Sequence, residues 1–68
     1  MQFLKNLTIR ELEILQLIAQ GLTDKRIAEE LSISNKTAST HRKHMLKKMN
    51  VKNTAMLIRQ ALEFNLIK

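Results

Sequence analysis

Residues 23–49 read TDKRIAEELSISNKTASTHRKHMLKKM, and the punctuation of this stretch decides the fold. Thr23 stands where a helix cap belongs, with Leu22 and Ile27 at the two positions of a hydrophobic staple. Asp24 in the first turn suits the positive end of the helix dipole. The helix is short, about 24–31, because Ser32-Ile33-Ser34 interrupts it and Ser34 can cap a new one. The new helix runs over about 35–49 and stops at Asn50, a residue type that tolerates the left-handed terminal conformation. A two-turn helix, a three-residue turn and a longer helix form a helix-turn-helix. Ala28 is small where the two backbones must approach, and Ile27, Leu31 and Ile33 are the apolar residues to bury around it. Glycine is commonest at the turn position that Ser32 holds here.

The longer helix has two sides. At about 100° per residue, Ala38, His41, Met45 and Met49 fall on one face. Opposite lie Lys36, Ser39, Thr40, Lys43 and Lys47, with Arg42, Leu46 and Lys48 on the borders. Short polar and long cationic side chains on one face are the inventory for touching base edges and phosphates in a major groove. The apolar face is needed for packing against the other helices. A membrane is therefore not an expected partner, since surface insertion requires that face to be available.

Working outward, Thr8-x-x-Glu11 is a capping box with Leu7 and Leu12 as its staple, so a first helix is expected over about 9–20. Gly21 is placed to end it in the left-handed conformation. Downstream, Asn53 or Thr54 opens a fourth helix reaching about residue 64, and Asn65 follows as its terminator. Leu66 and Ile67 should fold back onto the body. The expected architecture is all-α: four helices at about 9–20, 24–31, 35–49 and 54–64, in a single domain spanning 1–68 with a lead segment 1–6.

Composition agrees. The chain has 68 residues, one Gly and no Cys or Pro, which disfavours a turn-rich β fold and excludes disulfides and cysteine metal sites. No apolar run approaches the roughly 18 residues of a membrane span, and no signal-like core precedes the first helix. A cytoplasmic location is expected. The starting Met and the lead Gln2-Phe3-Leu4-Lys5-Asn6 fit either a small complete regulator or a domain of a longer one. The net charge of +6 is concentrated. Lys36, Arg42, Lys43, Lys47, Lys48 and Lys52 lie within 36–52, which holds no acid, while the basic and acidic residues elsewhere cancel. Such a footprint is expected of a polyanion binder, although a cationic cluster alone could equally be a solvated face.

Other chemistry finds no support. His41 and His44 have a spacing open to metal ligation, but no carboxylate or Cys lies near them in sequence. His41 is expected to be a core histidine bonded to backbone, and His44 a flank residue near a phosphate. Met45 and Met49 are core fillers, Lys47 and Lys48 could be merely solubilising, and Glu11 is a cap rather than half of a catalytic pair with Glu13. Ser32, Ser34, Thr37, Ser39 and Thr40 belong to no nucleophile–base constellation. An enzyme is not expected, nor a cofactor, nor a metal. In the fourth helix Leu57, Ile58, Ala61, Leu62 and Phe64 cover an arc of about 180°, wider than one core-facing stripe needs. Leu57, Ala61 and Phe64 are thus candidate dimerisation residues, the alternative being a broad core face in a small domain.

One run of residues now stands out: Leu7-Thr8-x-Arg10-Glu11-x-Glu13-Ile14-Leu15, Ala19-x-Gly21, Ile27-Ala28-x-x-Leu31-x-Ile33-Ser34-x-x-Thr37, then His41 and Leu46-x-Lys48-Met49. In these positions, over about 7–67 and without a gap, the chain resembles the LuxR/FixJ/NarL-type DNA-binding domain, and His44–Met49 is especially similar to the NarL branch. The resemblance implies a third helix in the major groove of double-stranded DNA, a fourth helix at a homodimer contact, and bacterial transcription regulation, usually as the output module of a response regulator or quorum-sensing receptor. Carried over by position, it implies base contacts from Ser39, Thr40 and Lys43, and phosphate contacts from Thr23, Lys25, Lys36 and Lys47. Three departures bear on base preference: Ala38 where Val is usual, Ser39 where Lys is frequent, and Thr54 where Arg is usual.

Two functions follow from different classes. The first is sequence-specific DNA binding as a dimer on two half-sites. The second is a protein-interaction module on the same scaffold, as in sigma factors, with RNA polymerase or another regulator as partner. The basic outward face favours the first, and the wide apolar arc of the fourth helix keeps the second in view.

Overall fold

A computed structural model describes residues 7–67. The lead segment 1–6 lies outside the described residues. Four helices follow one another: α1 (Ile9–Ala19), α2 (Asp24–Leu31), α3 (Asn35–Lys48) and α4 (Thr54–Glu63). No strand occurs among the described residues. The all-α expectation holds, with α1, α3 and α4 each one residue shorter at the C-terminus than their patterning suggested.

Every helix starts on a side-chain cap. Thr8 accepts from the Glu11 amide at 3.0 Å, Thr23 from Arg26 at 3.2 Å, Ser34 from Thr37 at 3.0 Å and Asn53 from Met56 at 2.9 Å. Asn53, rather than Thr54, is therefore the cap of α4. The Thr8–Glu11 capping box is complete, since the Thr8 amide donates back to Glu11 Oε1 at 3.1 Å.

The helix ends are equally uniform. Gly21, Ser32, Asn50 and Asn65 all adopt positive φ, at 88°, 56°, 55° and 58°. The next amide then reaches back five residues in each case: Leu22 to the Leu17 carbonyl, Ile33 to Ala28, Val51 to Leu46 and Leu66 to Ala61. Each is the 6→1 bond of a Schellman closure, and each joins two apolar residues. Ser32 is the exception in residue type, since glycine and asparagine, which hold the other three positions, tolerate the left-handed conformation better than serine does.

The core is built from one side of each helix. Ile14 and Leu15 of α1, Ile27 of α2, Met45 of α3, Met49 at the α3 C-cap and Leu57 of α4 are fully buried. α3 packs against the other three helices, with Ala38 hidden in its first half. The tail returns as expected: Ile67 is buried, and Gln16 Nε2 donates to the Leu66 carbonyl at 3.0 Å. Leu57 and Ala61 are both 0% exposed within a single copy, so neither has surface to offer a partner. The broad apolar arc of α4 is largely taken up by the domain's own core. Phe64 is half-buried against that core, whereas Leu62 is 49% exposed.

The helix ends make a paired prediction. No atom lies within 4 Å of a β-carbon built at Gly21, so Gly21→Ala meets only the backbone cost of positive φ and should destabilise by about 1 kcal/mol. Ser32→Gly relieves the same cost and should stabilise by about 0.5 kcal/mol. Urea unfolding midpoints at equal slope test both signs.

Candidate nucleic-acid interface

α3 is an unusual helix to find at the centre of a domain. Its residues NKTASTHRKHMLKK include five cations and no acid, so it cannot hold its position by apolar burial along its whole length. Ala38, Met45 and, at its C-cap, Met49 give it a narrow apolar seam. Lys36, Thr40, Lys43, Lys47 and His44 are exposed on the opposite side. Ser39 is half-buried at the border of that face.

Two ion pairs supply the rest of the seating. Arg42 donates through Nε and one terminal nitrogen to the two oxygens of Asp24, each bond at 3.1 Å, joining the middle of α3 to the first turn of α2. Planar two-point pairing of this kind fixes orientation as well as distance. Thr23 and Lys25 flank Asp24 in the sequence. Lys48 Nζ lies 2.7 Å from Glu11 Oε1, joining the end of α3 to the first turn of α1. Glu11 is buried, with 2% of its surface exposed, and it already accepts from Thr8. Lys48 is thus a structural partner rather than a solubilising charge.

Glu11 also explains His41. Its Oε2 lies 3.8 Å from His41 Nδ1, a nitrogen that is buried and makes no hydrogen bond. The expected backbone bond of His41 is therefore absent at Nδ1, and the ring faces a carboxylate that is 30 positions away in sequence and was invisible to local spacing. Burial pushes the Glu11 carboxyl up, but the Lys48 hydrogen bond, the Thr8 amide and the Lys48 and His41 charges outweigh it and hold the group below its ordinary value of 4.5.

Pairing sorts the cations. Arg10 sits near Glu13, Arg26 near Glu29 and Glu30, and Arg59 near Glu63, all on exposed sides of their own helices. Arg42 and Lys48 are held by Asp24 and Glu11. Among the described residues, Lys25, Lys36, Lys43, Lys47 and Lys52 are exposed and form no ion pair. Three of these five lie on α3, and Lys36 occupies its first turn, where no acid balances the positive helix end. Such a placement costs stability in the isolated domain and favours an external anion.

Sequence reading placed Ser39, Thr40 and Lys43 together on α3; Thr40 and Lys43 are exposed on its outward side, and the half-buried Ser39 stands at the border of it. Lys36 and Lys47 extend that side toward both ends. Thr23 is also engaged as the α2 cap. The Asp24–Arg42 and Glu11–Lys48 pairs were missed because their partners stand 18 and 37 positions apart. The signal that could have found them was the placement of Arg42 and Lys48 on the helix borders, where a cation is neither buried nor turned to solvent.

A shallow hollow beside α4 is lined by Val51, Met56, Arg59, Gln60 and Glu63, none of them on the α3 face. Among the described residues no group of three or more His, Cys, Asp or Glu could hold a metal, and no helix is long and apolar enough to cross a membrane.

The comparisons with known proteins agree with this geometry. The model of the bacterial regulatory proteins of the luxR family matches residues 5–61. The chain belongs to that family. It is 49% identical over 61 residues to the transcriptional regulatory protein MctR of Rhizobium johnstonii, covering 90% of this chain and 28% of that protein. It is 46% identical over 61 residues to the oxygen regulatory protein NreC of Staphylococcus carnosus, with the same coverages of 90% and 28%. It is 57% identical over 47 residues to the nitrate/nitrite response regulator NarL of Escherichia coli, covering 69% of this chain and 22% of that protein. The chain spans under a third of the length of these relatives. What the chain shares with these transcriptional and response regulators is their luxR-family domain.

The Glu11 cluster generates a prediction. Its folded-state acidity is stronger than that of the unfolded chain, so its contribution is fully present above about pH 4.5 and is lost as pH falls through the lower folded value. Glu11→Gln should destabilise the domain by about 1–3 kcal/mol at pH 7. It should also flatten the loss of stability on the acid side, as read from thermal midpoints between pH 3 and pH 7. An acid limb as steep as that of the wild type would contradict the role given to Glu11.

Proposed function

We propose that this domain binds double-stranded DNA sequence-specifically, with α3 in the major groove. Ser39, Thr40 and Lys43 meet base edges. Thr23, Lys25, Lys36 and Lys47 meet phosphates. The observation that carries this reading is the row of exposed, unpaired lysines on α3 opposite the buried Ala38, Met45 and Met49. A helix of this kind, about 10–12 Å across, matches a groove about 12 Å wide. The same lysines weigh against a protein partner such as RNA polymerase as the principal ligand of this face.

The affinity comes mainly from phosphate contacts, and the discrimination from the three base-contact positions. Ser39 and Thr40 are short, so they read bases at close range, whereas Lys43 reaches from one turn further along. Because Ser39 and Ala38 depart from common family residues, the preferred site is a property of this chain.

Dimeric binding on two half-sites is part of the proposal, with the contact moved to the outer side of α4. Ala55, Ile58 and Leu62 share that side at helical spacing, and Leu62 is 49% exposed. A response regulator's output domain, acting in the cytoplasm, is the setting suggested by the relatives named above.

Selection of bound duplexes from a random library gives the test. The selected site should contain two related half-sites. The logarithm of affinity should fall with the logarithm of salt at a slope of roughly −4 per protomer. Lys43→Ala should cost about 1–3 kcal/mol on the selected site and relax one base position, whereas Lys47→Ala should weaken all duplexes alike. A salt slope unchanged by both substitutions would defeat the α3 assignment. For the dimer, Leu62→Glu should convert a 2:1 complex to 1:1 in sedimentation on the selected duplex, and a 1:1 wild-type complex would reject dimeric binding.

A further inference from the structure

The Asp24–Arg42 pair does more than join two helices. Arg42 lies within the basic stretch, at the edge of the face proposed to meet DNA, with about a quarter of its side chain exposed (27%). Its guanidinium would be the natural sixth cation of that surface. Instead both of its bonds go to Asp24, whose side chain is 32% exposed and sits between Thr23 and Lys25 at the start of α2. A carboxylate at that point has two electrostatic effects. It neutralises Arg42, and it stands where the amides of a helix N-terminus would otherwise attract a phosphate. The contrast with Lys48 lies in the acid: the Lys48 side chain is 33% exposed, but its partner Glu11 is buried, whereas Asp24 is itself at the surface.

The geometry points to Asp24 as a specificity-determining residue that withholds Arg42 from DNA phosphates, an inference that rests on the DNA-binding role proposed above. Phosphate contacts strengthen binding to every sequence equally. Withholding one therefore lowers non-specific affinity. The same two bonds hold α3 at a fixed angle against α2, and base readout on the preferred site needs that fixed angle. Asp24 thus weakens both kinds of complex, random binding more than selective binding, and so widens the gap between them. Asp24 is a positioning residue, since it acts through Arg42 and touches no base.

The experiment measures binding of random-sequence and library-selected duplexes across a salt series, for wild type, Asp24→Asn and the double variant Asp24→Asn/Arg42→Gln, each checked for helicity by circular dichroism. Asp24→Asn keeps the shape and releases the cation. Its salt slope on random duplex should steepen by about 0.9 per protomer, which is about an eightfold gain in affinity near 0.1 M salt. The gain on the selected duplex should be smaller by about two- to fivefold, because the clamp is weakened there. The double variant removes both charges, so its slope on random duplex should return to that of wild type. A purely structural role would move stability but not these slopes.

Two results overturn the inference while leaving DNA binding intact. One is a folded Asp24→Asn protein with the wild-type slope, which means that a released Arg42 does not reach phosphate. The other is a double variant with a slope shallower than wild type by about one, which means that Arg42 already contacts DNA beside Asp24. The second comparison stands even where Asp24→Asn alone fails to fold. Absence of any random-duplex binding by the wild type at low salt would instead remove the DNA-binding role itself, and the inference with it.

Discussion

A single buried carboxylate fixes the relation on which the domain's surface depends. Glu11 closes the capping box of α1, accepts from Lys48 at the far end of α3, and faces the ring of His41. It therefore ties the beginning of the first helix to the end of the third across 37 positions of sequence. α3 needs such a tie. An isolated helix of 14 residues is marginal in water, and this one carries five cations with few apolar residues. Its seam of Ala38, Met45 and Met49 supplies burial, and the ion pairs to α1 and α2 supply orientation.

The chemistry of the outer face follows from this seating by subtraction. Arg42 and Lys48 are drawn to acids on neighbouring helices, and the arginines of the other helices sit near acids on their own. Five lysines are left exposed and unpaired among the described residues, three of them along one side of α3. Lys36 in the first turn of α3 opposes the helix dipole. Local preference is violated there, and such violations are expected at functional positions, where an external group completes what the domain lacks. A duplex phosphate has the charge and geometry to do so.

Much of this was legible in the residues alone, for physical reasons that differ by feature. Caps and terminators are local signals: Thr8, Thr23, Ser34, Gly21, Asn50 and Asn65 act within one turn of their own position, so reading them in order located all four helices. The two faces of α3 follow from helical periodicity. The misreadings share a different cause. Glu11, Asp24, His41 and Lys48 have roles set by partners on other helices, and periodicity assigns a face without naming what lies across it. The apolar arc of α4 was ambiguous for a related reason. An apolar arc of about 180° on α4 does not say which part the domain itself consumes, and Leu57 and Ala61 were the consumed part. What remained hidden at Ser32 was residue type rather than position: the turn was placed correctly, and a serine holds the conformation usually left to glycine.

The central claim is spatial, that the side of α3 bearing Lys36, Thr40, Lys43 and Lys47 is the side that meets a duplex. Amide chemical-shift mapping of the labelled domain during titration with a selected duplex tests it most directly. The largest shifts should fall on residues 36–47, with a second group at Thr23 and Lys25 and little change at the buried Leu57 and Ala61. Shifts confined to α4, or spread evenly over all four helices, would contradict it.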